Sequence, residues 1–140
     1  MTTREQLTVL RELGFNRISL GVQDFDKRVQ TAIHRDQTEE ETRNIFRWCR
    51  ALGYHSVNLD FVYGLPYQTL DGLIHTLKSI LNLEPDRIAF YNYAHVPWMV
   101  PSQKYIDETT LPSPELKLRF LEAIFHLFEG GGYMPVGMDH

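Results

Sequence analysis

The sequence is short of cysteine. Cys49 stands alone among 140 residues, which excludes an internal disulfide and a cysteine cluster site built from this chain by itself. It has no surplus of positive charge either: 14 Lys and Arg against 18 Asp and Glu leave a formal charge of −4, and the basic residues are scattered. A polyanion-binding surface is not expected, so nucleic acid is set aside as a partner. No apolar run reaches the roughly 20 residues of a membrane span. The opening Met1-Thr2-Thr3-Arg4-Glu5 carries no leader core, and cytoplasm is the expected compartment. His34, His55, His75 and His126 fall on or beside predicted helices and none makes a tight ligand pair, so no metal site is expected from this chain's own residues. Linkers and low-complexity stretches are absent, and the length suits about one domain.

What is present is a regular alternation of helix and strand. Thr3 is placed to cap a helix running to about Leu13, with Leu7, Leu10 and Leu13 at helical spacing and Gly14 as its stop. Arg17 to Val22 reads as a strand. Asp24 is placed to cap a short helix through Val29 and Ile33. Thr38-Glu39-Glu40-Glu41 opens a longer helix with acids at its positive end, and Ile45, Phe46, Cys49 and Leu52 form its apolar stripe. Ser56 to Val62 is the next strand, closed by Gly64-Leu65-Pro66. Thr69 precedes a helix carrying Leu73, Leu77, Ile80 and Leu81, which Asn82 to Pro85 break. Arg87 to Tyr93 reads as a third strand. Val96 to Pro112 is a long Pro-containing loop, a candidate lid. Ser113 caps a helix through Leu116, Phe120, Ile124 and Leu127, and Tyr133-Met134-Pro135-Val136 opens a possible fourth strand.

Repeats of this size predict parallel strands joined by right-handed crossovers. Alternation within the strands says more. Ile18, Leu20 and Val22 share one face, and Ser19, Gly21 and Gln23 the other; Val57, Leu59 and Phe61 oppose Asn58, Asp60 and Val62. A doubly wound sheet would need both faces apolar. One apolar face and one polar face suit a barrel wall, with helices outside and a polar cavity inside. Three firm strands and one possible strand make roughly half of an eight-stranded barrel. The expected fold is therefore α/β, a partial, half TIM-like barrel, with residues 1–140 a piece of a longer one. Open strand edges of such a piece invite self-association.

Three polar groups mark the candidate site: the amide of Gln23, the guanidinium of Arg35 and the carboxylate of Asp60. They suit a ligand bearing a diol, an amine and a carboxylate. Asp60 can accept two hydrogen bonds from a diol, and Arg35 can pair bidentately with a carboxylate. Each has a plainer role available. Gln23 can satisfy backbone groups at a strand end. On spacing alone, an ion pair between Asp60 and Arg35 competes evenly with ligand binding. Tyr91 and Tyr93 suit either a core or a cavity wall. Cys49 reads as a buried small hydrophobe.

Arg17-Ile18-Ser19-Leu20-Gly21-Val22-Gln23-Asp24-Phe25 resembles the fourth-strand region of radical S-adenosylmethionine enzymes, and Asp60-Phe61-Val62-Tyr63-Gly64-Leu65-Pro66-Tyr67-Gln68-Thr69 their next strand and turn. His34-Arg35-Asp36-Gln37, Phe90-Tyr91-Asn92-Tyr93-Ala94-His95-Val96-Pro97 and Gly137-Met138-Asp139-His140 narrow the resemblance to the oxygen-independent coproporphyrinogen III oxidases, over about Arg4 to His140. The resemblance implies a radical SAM barrel with a [4Fe-4S] cluster and two S-adenosylmethionine molecules. It also implies a tetrapyrrole substrate, an electron-donor protein, and oxidative decarboxylation of two propionates to vinyl groups in haem biosynthesis. It carries Gln23, Arg35, Asp60 and Ala94 over as S-adenosylmethionine-binding residues. Catalytic residues are not assigned.

The departures are as informative. The resemblance implies three cluster-ligating cysteines in a short motif, and this chain has none. Its glycine-rich early strand, its third-strand glutamate and everything beyond His140 are also missing. The 140 residues are expected to be inactive alone, lacking the cluster-binding strands and a C-terminal domain. Two other readings compete: a haem chaperone of the sibling group, and a free-standing domain that binds S-adenosylmethionine without a cluster.

Overall fold

The computed structural model describes residues 3–134. Within them the elements alternate as α1 (Arg4–Glu12), β1 (Arg17–Gln23), α2 (Lys27–Ala32), α3 (Glu39–Ala51), β2 (Ser56–Tyr63), α4 (Leu70–Leu83), β3 (Arg87–Asn92) and α5 (Pro114–Gly130). The three strands form one parallel sheet in the order β1-β2-β3. This is the α/β partial barrel that the alternating pattern predicts.

Local chemistry sets the helix starts. Thr3, Thr38, Thr69 and Ser113 each accept a hydrogen bond from a backbone N–H in the first turn of the helix that follows. Those amides have no partner inside the helix, so each cap contributes about 1 kcal/mol. Thr3 and Gln6 complete a reciprocal capping box. The short helix α2 corrects one expectation: its cap is Asp26, which accepts from Arg28 N–H, and Asp24 has another task. The last turn of α4 ends on Glu84 in the left-handed conformation.

The two sheet faces differ as alternation requires. Leu20, Val22, Val57, Leu59, Phe61 and Tyr63 are buried and pack with Leu7, Ile45, Phe46, Cys49, Leu73, Leu77, Ile80, Phe120, Ile124 and Phe128 into one core. Helix α3 packs between α1 and α4, and α4 packs on α5. Phe61 meets the edge of Phe128 at 5.8 Å between ring centres, and Phe90 meets Phe125 at 5.6 Å, which seats α5 over β2 and β3. Each such ring contributes roughly 1.5–3 kcal/mol through burial, with edge-on contact adding about 1 kcal/mol. Arg50 and the backbone of Val57 both bond the Asp86 carboxylate, and Tyr54 Oη donates to the Leu7 carbonyl, fastening the strand starts to the helices.

The segment from Val96 to Pro112 is not one structureless loop. It contains 3-10 turns at Pro101–Tyr105 and Glu108–Thr110 and is tied down at Tyr67, whose N–H donates to the Thr110 carbonyl. Tyr133 and Met134 are not in a strand. The rest of the expected fourth strand and the Gly137-Met138-Asp139-His140 motif lie outside the described residues.

Candidate functional site

β1 ends in an irregularity that builds the site. Its register with β2 runs Gly21 opposite Asp60 and then Gln23 opposite Phe61, leaving Val22 as an extra residue. Such a bulge re-aims the side chain beside it. Gln23 takes a φ of 60°, and Asp24 N–H donates back to the Val22 carbonyl at 2.8 Å. The amide of Gln23 is thereby folded over Gly21: a methyl group on Gly21 would lie 3.1 Å from Gln23 Oε1 and 3.6 Å from Arg35 Nη2. Gly21 leaves the room in which these two polar groups meet.

Arg35 reaches this point from the turn after α2. Its Nη2 donates to the Gly21 carbonyl at 2.6 Å and to Gln37 Oε1 at 3.0 Å. Gln37 is itself held by Thr42 and, through its backbone, by Gln30. Nη1 and Nε make no hydrogen bond among the described residues. Arg35 Nε and Gln23 Oε1 are both buried without a hydrogen-bond partner among the described residues. Buried polar atoms are normally paired, and an orphan costs about 1–3 kcal/mol.

Asp60 lies fifth of eight in β2, further inside the sheet than a strand end. Register places it between Gly21 on β1 and Ala89 on β3, and directly paired residues share a face. The carboxylate therefore stands in a trough between two of the smallest residues, beside Gln23 and Arg35. Its competing role as an ion-pair partner of Arg35 is not realised, because Arg35 bonds Gly21 and Gln37 instead. Asp60 has no hydrogen bond or ion pair among the described residues, and burial alone pushes its carboxyl above the usual range.

Ala94 lies two residues past β3. Its carbonyl accepts from Gln103 Nε2 at 3.0 Å, while Gln103 Oε1 accepts from Val96 N–H at 2.6 Å. No hydrogen bond joins Ala94 to the other three residues among those described; it lies just past the carboxyl end of β3. Around it, Tyr93 Oη stands 3.0 Å from His95 Nδ1, and His95 Nε2 stands 3.2 Å from Glu108 Oε1.

Sequence reasoning missed three supports of this site. Asp24 is fully buried, and its carboxylate accepts from Asp26 N–H, Thr76 Oγ1 and Gln68 Nε2. Burial pushes its carboxyl up, against the opposing pull of those hydrogen bonds. Gln68 Oε1 accepts from the N–H groups of Gly64 and Leu65, so the Gly-Leu-Pro turn is built around its amide. Ala89 keeps the trough open. The signals were faint: an Asp after a strand and a Gln after a turn read as ordinary loop chemistry.

The model of the radical SAM superfamily matches residues 1–80. The chain belongs to the radical SAM superfamily. It is 49% identical over 138 residues to the oxygen-independent coproporphyrinogen III oxidase of Helicobacter pylori strain J99, covering 99% of this chain and 30% of that protein. Its identity to the enzyme of the same name from Pseudomonas aeruginosa is 50% over 132 residues, covering 94% of this chain and 29% of the relative. In three dimensions it resembles the coproporphyrinogen III oxidase of Escherichia coli, a radical SAM enzyme. The TM-score is 0.95 at 41% identity, over 99% of this chain and 32% of that one. The chain thus spans about 30% of the length of the curated relatives it matches.

The superfamily implies two groups, and this chain fits them unequally. Two orphaned buried polar atoms and an unpaired carboxylate fit S-adenosylmethionine. A [4Fe-4S] cluster does not fit: Cys49 is buried in α3 and burial holds its thiol up at about 11. Among the described residues, no three His, Cys, Asp or Glu side chains are grouped to hold a metal. No helix among the described residues is long and apolar enough to cross a membrane.

Proposed function

We propose that the chain is the central part of an oxygen-independent coproporphyrinogen III oxidase. In this reading it forms the middle of a radical SAM barrel whose cluster-binding strands and C-terminal domain lie outside these 140 residues. The whole enzyme, placed in the cytoplasm, converts coproporphyrinogen III to protoporphyrinogen IX by decarboxylating two propionates, using a tetrapyrrole substrate, two S-adenosylmethionine molecules and an electron-donor protein. The isolated chain is inactive, and its open β1 and β3 edges self-associate. The observation that carries the reading is the trough at Asp60. An unpaired carboxylate, a buried amide oxygen and a guanidinium with two free nitrogens share one sheet face, in a chain that matches coproporphyrinogen oxidases along its length.

S-adenosylmethionine supplies hydrogen-abstraction chemistry when bound. Asp60 would accept hydrogen bonds from both ribose hydroxyls. Arg35 offers charge and its remaining N–H groups to the methionyl carboxylate, while Gly21 and Gln37 keep its plane fixed. Gln23 Oε1 accepts from a donor on the ligand, which removes its desolvation cost. Ala94 is small enough for adenine to lie against the backbone, and Gln103 keeps that backbone in place. The helix-covered face keeps water from one side of the trough.

The test uses the complete protein with its cluster reconstituted. S-adenosylmethionine titration is expected to saturate, and coproporphyrinogen III is expected to be converted to a divinyl product. Tight haem binding without decarboxylation would assign the sibling chaperone instead. Measurable S-adenosylmethionine affinity in a protein that never binds a cluster would assign a free-standing binding domain.

A further inference from the structure

Gln23 occupies a strained position. A hydrogen bond from Asp24 N–H to the Val22 carbonyl, with a φ of 60° between, makes Gln23 the apex of a three-residue turn of the positive-φ kind. That turn is rare and strained, and a positive φ is uncommon for any residue other than glycine. Strain of this kind persists only where the surroundings over-determine it, and it gathers at functional sites.

The surroundings converge on the next residue. Asp24 uses every polar group it has. Its N–H closes the turn, and its carbonyl accepts from Gln30 Nε2 at 2.7 Å. Oδ1 accepts from Asp26 N–H and Thr76 Oγ1, each at 2.8 Å, and Oδ2 accepts from Gln68 Nε2 at 2.7 Å. These partners come from α2, α4 and the turn after β2, so Asp24 is fixed from three directions. Thr76 Oγ1 also accepts from Phe25 N–H at 3.3 Å. The carboxylate is fully buried and shut off from ligand.

We infer that Asp24 is the positioning residue for Gln23: its buried hydrogen bonds to Gln68, Thr76 and Gln30 hold the strained turn that aims the Gln23 amide over Gly21 and into the trough. The inference rests on the reading that Gln23 binds S-adenosylmethionine. Asn at this position keeps the shape but turns one acceptor into a donor facing Gln68 Nε2 or Thr76 Oγ1, which releases the carboxylate end of the network.

The experiment is a double-mutant cycle on the complete protein, read by calorimetric titration with S-adenosylmethionine alone. Gln23→Ala is expected to weaken binding about tenfold, the size of one lost hydrogen bond with its buried partner left unpaired. Asp24→Asn is expected to weaken it by a similar factor when Gln23 is present, and by less than about twofold in the Gln23→Ala background. Equal losses in both backgrounds, or none with Gln23 in place, overturn the inference. An unchanged affinity in Gln23→Ala alone removes the underlying reading, and that single variant separates the two failures. Should Asp24→Asn not fold, Thr76→Val withdraws one donor from the carboxylate. A Gln23-dependent loss of about threefold is expected there, restored by Thr76→Ser. A merely structural network would shift the unfolding midpoint of Thr76→Val and leave affinity unmoved, which refutes the assignment.

Discussion

Replacing Asp60 by Asn should stabilise the ligand-free chain while weakening its ligand. Asp60 stands half-buried in β2 between Gly21 and Ala89, with no partner among the described residues. Burial alone raises its carboxyl pKa. A buried unsatisfied group costs about 1–3 kcal/mol, and the half-exposure of Asp60 keeps it at the low end, about 1 kcal/mol. Asn retains the shape and discards the charge. With a urea dependence of roughly 1–3 kcal/mol per molar, the Asp60→Asn midpoint should rise by about half a molar at pH 7. The sign with pH follows from linkage. The folded pKa lies above the unfolded value near 3.8, so the folded state holds its proton longer. The penalty is absent below that unfolded value, grows as pH climbs through the folded one, and is complete at neutrality. The advantage of Asn should vanish in acid accordingly. S-adenosylmethionine should bind the variant of the complete protein more weakly by about 1.5–3 kcal/mol, the range for a hydrogen bond to a charged group, or roughly ten- to hundredfold. A lower urea midpoint for Asp60→Asn would mean that the carboxylate holds the fold together. An unchanged titration would remove the ribose role.

Three further outcomes are expected. Cys49, fully buried with its thiol pushed up to about 11, should resist an aromatic disulfide reagent at pH 8 and react within seconds in denaturant; fast reaction of the folded chain would show that α3 opens readily. Cys49→Ser should lower stability by about 1–3 kcal/mol in a denaturant melt, because a hydroxyl replaces a thiol in an apolar pocket. Asp86 runs opposite to Asp60: the Val57 N–H foremost, and then Arg50, hold its pKa down, so its contribution is present above the unfolded value and is lost as pH falls through the folded one. Asp86→Asn should therefore destabilise at neutrality by less than about 1 kcal/mol, since the ion pair is substantially exposed. The gap to wild type should close in acid; a gap that widens there would refute the assignment.

Much of the architecture was legible because it is written locally. Thr3, Thr38, Thr69 and Ser113 announce helix starts within three residues of the amides they cap. The alternation of Val57, Leu59 and Phe61 with Asn58, Asp60 and Val62 announces two unlike faces. Asp24 was not legible in this way. Asp24 and Asp26 are both good caps by residue type, and only the contacts of Asp24 with Gln68 and Thr76, distant in sequence, decide which one turns inward. The same holds for the trough. Nothing in Gly21 or Ala89 alone marks a floor; parallel register with Asp60 does. Val96 to Pro112 reads as a candidate lid from its length. Its anchoring by Gln103, Glu108 and Thr110 depends on Ala94 and His95, which follow β3, and on Tyr67 in the turn after β2.

The parallel pairing of β1 with β2 also dictates a timetable. Gly21 faces Asp60 only after two whole helices have been synthesised between them, and Asp24 meets Thr76 across 52 positions, once α4 has emerged from the ribosome. Until then the nascent polypeptide carries an amide and a guanidinium with no shared destination. Contacts so remote in sequence form slowly, and their loops close before any reward arrives. The trough and its buried support are therefore assembled late, only once α4 is in place.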